Sequence, residues 1–416
     1  MRIGLFLYRF ATWILIPVVW LIMRGRVRKG KEDPETLHAR FAKNLPARPE
    51  GPLVWLHGAS VGESKLCLLV ADKLQSVRSD LTFLHTCQTL TGAELIKSDI
   101  VGKPDRIYCP APIDTPSIAK RFAEHWQPDL ALLAEGEIWP NVLHEVRKIG
   151  CKTALVNARM TAKSLAGWAR WPKTAKSVFN EFDLIAASDG QTAEALQTYA
   201  PQAFALPANL KTDLPPPSFD ADERDALKIA IGDRPVLLAA STHPGEETFV
   251  LDAHSEIDPR PFVIIAPRHP ERGEEVADLC HARKHVVSRR SQSQSITAET
   301  TLLLADTMGE MGLWISLADT VYLGGGHAEG IGGHNPLEAI RLGKPVLTGP
   351  HVFNFTAMMA ELKDQGGLTF VEAPSDLAKA FPAPAPPMAI KQEGSPLSVV
   401  MDRLLPMLNP QEEDHA

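Results

Sequence analysis

Acidic side chains beside tight turns are the first sign of chemistry in this sequence. In WLHGASVGES (55–64) an apolar run enters a loop of small residues, with Ser60 in the loop and Glu63 at the start of an expected helix. A carboxylate held there can take a proton from a hydroxyl nucleophile. It can equally be a first-turn acid that satisfies the helix dipole and is the weaker base for it, and spacing leaves both readings open. In LLAEGEIWPN (132–141), Glu135 and Glu137 follow a run of Leu and Ala. Alternation along an extended chain would place both on one side, where two acids raise each other's pKa, or one orients a base or bonds a sugar. The flanking Trp139-Pro140 argues against a merely solvated loop.

A second set of motifs suits an anion. ASTHPGEE (240–247) and APRHPER (266–272) follow apolar runs and bring Ser241, Thr242, Arg268 and His269 to strand ends, where hydroxyls, a guanidinium and backbone N–H groups fit a phosphate or carboxylate. LGGGHAEGIGGHNPLEAIRLG (323–343) joins a glycine-rich loop containing Gly333 to a legible helix: Asn335 as N-cap, Pro336 in the first turn, Glu338 three residues after the cap, Gly343 as the stop. The glycines let backbone N–H groups approach a phosphate, while Glu338 also reads as a capping-box acid. HGASVGE stands where a dinucleotide fingerprint would, which disfavours a dehydrogenase. The one literal DxD, Asp220-Ala221-Asp222, reads as a solvated turn.

These loops need a scaffold that brings strand ends together. Short apolar runs at 53–57, 81–86, 129–135, 152–158 and 183–188 alternate with helical patterns, and a second series comes at 235–241, 261–267, 301–306, 319–326 and 344–349. This is the pattern of parallel sheets wrapped by helices, and 416 residues are too many for one ordinary core. The sequence therefore predicts an α/β chain of two doubly wound Rossmann-like domains facing across a cleft, with active residues off the carboxyl ends of the strands. Expected boundaries are an N-terminal anchor and basic flank over 1–31, a first Rossmann-like domain over 32–206, a Pro-rich linker over 207–223, a second Rossmann-like domain over 224–395 and a tail over 396–416, with the low-complexity PAPAPPM (382–388) as a loop.

The net charge of −7 hides an asymmetry: the first 48 residues carry ten basic and three acidic side chains, a local +7 that leaves −14 on the rest. A basic end on an acidic body argues against nucleic-acid binding and for a membrane surface. Residues 3–23 are apolar over about a bilayer's width but interrupted by Arg9 and Pro17, so they either span or lie in the interface. Arg24, Arg26, Arg28, Lys29 and Lys31 would hold the downstream chain on the cytoplasmic side, with Trp13 and Trp20 as interfacial anchors. Five widely spaced cysteines without a CxxC pair fit a reducing compartment.

In order along the chain, HGASVGE, TLTGAE (89–94), AEGEIWPN, NARMTAKS (157–164), ANLK (208–211), ASTHPGEE, PRHPER, DTMGE (306–310) and GGHNPLEA (332–339) closely resemble the 3-deoxy-D-manno-octulosonic acid (Kdo) transferases. The resemblance runs from the anchor to about residue 370 and implies GT-B architecture, attachment to the cytoplasmic face of the inner membrane, and inverting transfer of Kdo from CMP-Kdo to a lipid A precursor (lipid IVA) in lipopolysaccharide synthesis, without a metal or other cofactor. It makes Glu63 the general base and Glu137 or its neighbour Glu135 the second active-site acid. It assigns CMP contacts to Arg268, His269, Met308, Gly309, Glu310, Asn335 and Glu338, and places Ser60 and Lys211 beside the donor. The chain departs from the family's usual residues at Ala42, Gly136, Ala208, Gly326, His327 and Ala339, with His327 adding an imidazole near the donor loop. A GT-B transferase for a UDP- or GDP-sugar, and a membrane-tethered nucleotide-binding protein without turnover, are the alternatives.

Overall fold

The structure, a computed structural model, describes residues 3–205, 209–383 and 395–408. Residues 207–208 of the expected linker, 384–388 of the Pro-Ala run and 409–416 of the expected tail lie outside the described residues. The chain forms two units, Met1–Leu214 with Glu393–Ala416, and Pro215–Gln392.

In the first unit, strands β1 (Leu53–Gly58), β2 (Thr82–Cys87), β3 (Arg106–Pro110), β4 (Leu130–Ala134), β5 (Lys152–Ala158), β6 (Leu184–Ala187) and β7 (Ala203–Ala205) form one parallel sheet in the order β3-β2-β1-β4-β5-β6-β7. The second unit repeats the theme with β8 (Val236–Thr242), β9 (Phe262–Pro267), β10 (Val287–Arg289), β11 (Leu302–Leu304), β12 (Thr320–Leu323), β13 (Val346–Thr348) and β14 (Leu368–Phe370), ordered β10-β11-β9-β8-β12-β13-β14. In each, the strand order reverses beside the first strand, between β1 and β4 and between β8 and β12. Helices diverge there and leave a crevice off the carboxyl ends.

Continuous apolar runs make these strands because both faces are covered. In β1, Leu53 and Trp55 face one cluster with Phe122 and Val142, while Val54 and Leu56 face another with Leu66, Val70 and Leu74 of the helix Val61–Val77. That second face is closed by the C-terminal helix Pro396–Leu404, through Leu397, Val400, Met401 and Leu404. Asp213 fixes the helix start by accepting hydrogen bonds from Ser395 Oγ (2.9 Å) and Leu397 N (2.6 Å). The segment expected as a tail is thus part of the first unit's core. Likewise Leu210, expected in the linker, is fully buried and its N–H is held by Asn157 Oδ1 at 2.8 Å. Asp220, read as part of a solvated turn, caps the helix Ala221–Ile231 by accepting from Asp222 N and Glu223 N.

The N-terminal residues form two helices, Ile3–Ile14 and Ile16–Arg28, bent by 58° at the break, with Pro17 in the first turn of the second. No single helix among the described residues is long and apolar enough to cross a bilayer; the bent pair meets that length and composition only together. The first helix is fastened to the unit by its polar residues: Tyr8 Oη donates to Asp114 at 2.7 Å, Arg9 pairs with the buried Glu145 at 2.7 Å, and Thr12 Oγ1 accepts from Asn141 Nδ2 at 3.3 Å. Trp20, expected at an interface, instead packs on Phe41 with ring centroids 5.1 Å apart. Phe6, Phe10, Trp13, Leu21 and Ile22 remain half or more exposed.

Candidate active site

The first unit gathers its polar groups at the crevice between β1 and β4. β1 ends in Gly58, where a Cβ would lie 2.8 Å from Glu63 Cβ and 2.9 Å from its carbonyl carbon, so only glycine lets the strand end pass under the helix start. Ser60 caps that helix, and the Glu63 carboxylate folds back to accept from Ala59 N (2.5 Å) and Ser60 Oγ (3.1 Å). Glu63 is therefore a capping acid. Its pKa nevertheless goes up: burial is the largest cause, the charges of Glu135 and Glu137 add to it, and the Ala59 and Ser60 donors only partly oppose it.

Glu135 and Glu137 do not continue the strand. Glu135 sits in the left-handed region (φ 55°), breaking the alternation that would have left the two acids in the same surroundings. Glu135 turns to Lys211, with its Oε1 2.5 Å from Nζ, and takes a longer bond from Asn157 Nδ2. Glu137 Oε2 turns the other way and meets Trp139 Nε1 (2.9 Å), Gln88 Nε2 (3.1 Å) and His57 Nε2 (3.2 Å). A carboxylate can only accept, so His57 Nε2 donates to it, and the Thr86 hydroxyl lies 2.8 Å from Nδ1. Burial alone would raise the Glu137 pKa, but the hydrogen bonds and charge from His57, with Trp139 and Gln88, bring it below the usual carboxylate range. The environments thus push apart a raised Glu63 and a lowered Glu137, the pattern that separates a base from a fixed anion.

The second unit builds a loop cluster around buried Glu246, in the first turn of the helix Glu246–Glu256. Its carboxylate accepts from His243 N (3.0 Å), Gly325 N (2.8 Å) and His327 N (3.0 Å), binding the loop after β8 to the glycine-rich loop after β12. His243 and His334 approach Nε2 to Nε2 at 2.8 Å, so one donates and the other accepts; burial depresses both, His334 to about 4. Arg268, His269, Met308 and Gly309 are exposed at the same strand ends, available to a ligand. Glu310 is tied to Arg290 and Thr307. Gly333, with φ 85°, bonds back to Gly325 O, and Asn335 Oδ1 accepts from Leu337 N at 3.1 Å ahead of the short helix Leu337–Arg341. Gly343 closes that helix with φ 70°.

Two expectations change. Thr242 is fully buried and donates its hydroxyl to Glu247 at 2.8 Å, so it orders the loop instead of facing a ligand; the neighbouring Ser241 stays partly exposed in a left-handed conformation. His327 turns inward, its Nδ1 2.8 Å from Tyr322 Oη and its ring 4.1 Å from that of Phe249. Among the departures, Gly136 leaves room for a larger residue, its nearest neighbour to a Cβ being Arg159 O at 3.9 Å, whereas a Cβ at Gly326 would strike Gly349 N at 2.6 Å. His57, Gln88, Asn157, His243, Glu246 and His334 are missed when the sequence is read for exposed chemistry. The signal available was a polar residue ending an otherwise apolar strand, as His57 does in LVWLHG.

Two doubly wound parallel sheets with their polar groups at the strand ends place the chain in the GT-B fold of glycosyltransferases. A solved UDP-N-acetylglucosamine 2-epimerase from Neisseria meningitidis shares this fold, with a TM-score of 0.55 at 14% identity, covering 86% of this chain and 100% of that one. The family model described as 3-Deoxy-D-manno-octulosonic-acid transferase (kdotransferase) matches residues 35–214. The 3-deoxy-D-manno-octulosonic acid transferase of Haemophilus influenzae is 32% identical over 334 residues, 79% of this chain and 77% of its own length. That of Bordetella pertussis is 33% identical over 364 residues, 84% and 83% of the two chains. The chain belongs to the Kdo transferase family and is a glycosyltransferase.

Because Gly58 determines how closely β1 approaches Glu63, Gly58→Ala should displace that carboxylate while the chain still folds. The expected loss in kcat is about 10²-fold, the cost of an ångström-scale misplacement; steady-state kinetics with unaltered nucleotide affinity would show it, and full activity would mean the contact does not position the group.

Proposed function

We propose that the chain moves Kdo from CMP-Kdo to a lipid A precursor in lipopolysaccharide synthesis, with inversion and with Glu63 as the general base. The observation that carries this reading is the half-buried Glu63 carboxylate, raised in pKa beside Glu135 and Glu137 at the carboxyl end of β1. Glu63 takes the proton from an acceptor hydroxyl as that oxygen attacks the anomeric carbon, and CMP departs as a phosphate monoester that needs no proton. Glu137, saturated with donors, stays ionised and favours the oxocarbenium-like charge of the transition state. In the second unit, Arg268 and His269 are the proposed partners of the leaving phosphate, with Met308, Gly309, Glu310, Asn335 and Glu338 at the nucleotide. Ser241 remains a candidate there. The family relationship supports the donor, and the opposed pKa shifts of Glu63 and Glu137 support the division of roles.

The reading also puts the protein on the cytoplasmic face of the inner membrane. The exposed apolar residues of the bent helix pair, succeeded by Arg24, Arg28, Lys29 and Lys31, fit an anionic lipid surface.

Glu63→Gln should lower transfer by about 10²–10⁴-fold and keep CMP binding, since an amide cannot act as base; near-normal turnover with CMP-Kdo and lipid precursor would remove Glu63 from that role. Glu63 works deprotonated, so the rate should fall as pH drops through its raised pKa, placing the acid limb above the ordinary glutamate range. In Glu135→Gln one charge that raises it is gone, and the limb should move to lower pH; an unmoved limb would mean another group governs it. Trp13→Glu with Leu21→Glu should release the protein from anionic vesicles in a flotation assay, while CMP affinity is unchanged.

A further inference from the structure

The first unit holds a cavity of about 430 Å³ that neither the carboxylate cluster nor the nucleotide loops occupy. Its floor is made by the loops after β2, β3 and β4, through Gln88, Ala111–Asp114, Ile138 and Trp139. Its roof is the bent N-terminal helix pair, through Tyr8, Val19, Met23 and Arg26. Two of the floor residues, Gln88 and Trp139, are the ones that donate hydrogen bonds to Glu137. The cavity therefore opens directly against the partners of a proposed active-site acid.

We propose that this cavity receives the sugar head of the acceptor glycolipid, beneath a roof whose outer face lies against the bilayer. The proposal rests on the reading of a lipid acceptor and goes further by assigning its site. The volume falls in the range of roughly 300–1,000 Å³ typical of small-molecule pockets. The walls combine what a pyranose presents. The Trp139 indole and the aliphatic Val19, Met23, Ile113 and Ile138 suit the ring's C–H faces, while Gln88, Asp114 and Tyr8 suit its hydroxyls and Arg26 a phosphate substituent. The charges are held ready: Arg40 is buried, pairs with Glu32 at 2.6 Å and donates to the carbonyls of Gln88 and Ala111. The same Glu32 takes Arg26 at 3.3 Å, so a ligand phosphate could replace Glu32 as the partner of the more exposed arginine.

The roof explains how an amphiphile arrives. Residues lining the cavity from the helix pair are Tyr8, Val19, Met23 and Arg26, whereas Phe6, Phe10, Trp13, Leu21 and Ile22 of the same helices are exposed. A lipid whose chains stay in the leaflet has its head at the level of this roof. An acyl chain is the less suitable occupant, because it would displace water from Gln88, Asp114 and Arg26 and offer these polar walls no hydrogen bond in return.

The test fills the cavity from opposite walls with Met23→Trp and, separately, Ile113→Trp, using the full-length protein, and compares a tetraacylated lipid A precursor with its water-soluble deacylated disaccharide phosphate as acceptors. A thermal unfolding transition like that of the wild type reports that each variant, altered in the first unit, is folded, and CMP affinity reports on the second unit. The expected result is a rise of about tenfold or more in KM for both acceptors with CMP affinity within about twofold of the wild type; Met23→Leu should restore both KM values. Unchanged acceptor KM in a filled variant that binds CMP overturns the proposal. A rise for the acylated acceptor alone also overturns it, by assigning the cavity to an acyl chain. Failure of the wild-type protein to transfer Kdo to either acceptor would instead count against the proposed Kdo transfer itself.

Discussion

Three carboxylates brought within electrostatic reach of one another at the end of a parallel sheet are the constraint on which the first unit is built. A half-buried charge without a partner costs several kcal/mol, and like charges add to that cost. Each acid is satisfied from a different direction. Glu135 takes a lysine delivered by the turn Leu210–Asp213, Glu137 takes a histidine from β1, an amide after β2 and its own neighbouring indole, and Glu63 has backbone and hydroxyl donors at its helix start. Between Glu63 and Glu137, the less compensated acid carries the raised pKa. Its position at the helix start and its chemistry are therefore one fact: the group folded back on its own helix start, while the neighbouring lysine goes to Glu135, is the one left able to accept a proton.

The second unit solves the complementary problem. A glycine-rich loop must keep its shape without a regular element, and Glu246 holds the two loops in place by accepting from three backbone amides while itself buried. Glu247, one residue on, fixes Thr242 and Arg272 in the same way. The ASTHPGEE motif owes its two consecutive acids to this internal scaffolding, and the residues it frees for a ligand are the exposed Arg268 and His269 on the neighbouring strand end.

How much of this was legible depends on burial. The strands with continuous apolar runs, β1, β2, β4, β5 and β6 in one sheet and β8, β9, β11, β12 and β13 in the other, stand out because helices cover both faces. The ones the pattern misses, β3, β7, β10 and β14, are the edge strands of their sheets, short runs such as RIYCP and VSR that pair on one side only and break the apolar run with polar residues. Glu63, Glu135 and Glu137 were legible as acids after strands. The divergence of the latter two was not, because a left-handed residue at 135 cannot be read from a Leu-Ala run before Glu-Gly-Glu. Buried partners such as His57 and Glu246 were hidden for a similar reason: their role is set by what the loops bring to them, not by their neighbours in the chain.

The N-terminal helix departs from the usual amphipathic arrangement, although its Leu5 is buried in the core. In a soluble helix the apolar stripe faces the core; here Tyr8, Arg9 and Thr12 face the unit and bond to Asp114, Glu145 and Asn141, while Phe6, Phe10 and Trp13 face out. Arg9, the residue that most disturbs a spanning segment, is accounted for by Glu145, which would lose its buried arginine partner if the helix departed. Glu145 would then be left to Lys148, whose half-exposed ammonium lies 3.2 Å away. Tyr8 adds a second such bond to a carboxylate, so withdrawing the helix into a bilayer core would sacrifice both. These bonds hold the helix on its domain with Phe6, Phe10 and Trp13 exposed, which is the condition for a roofed cavity to persist beside Gln88 and Trp139.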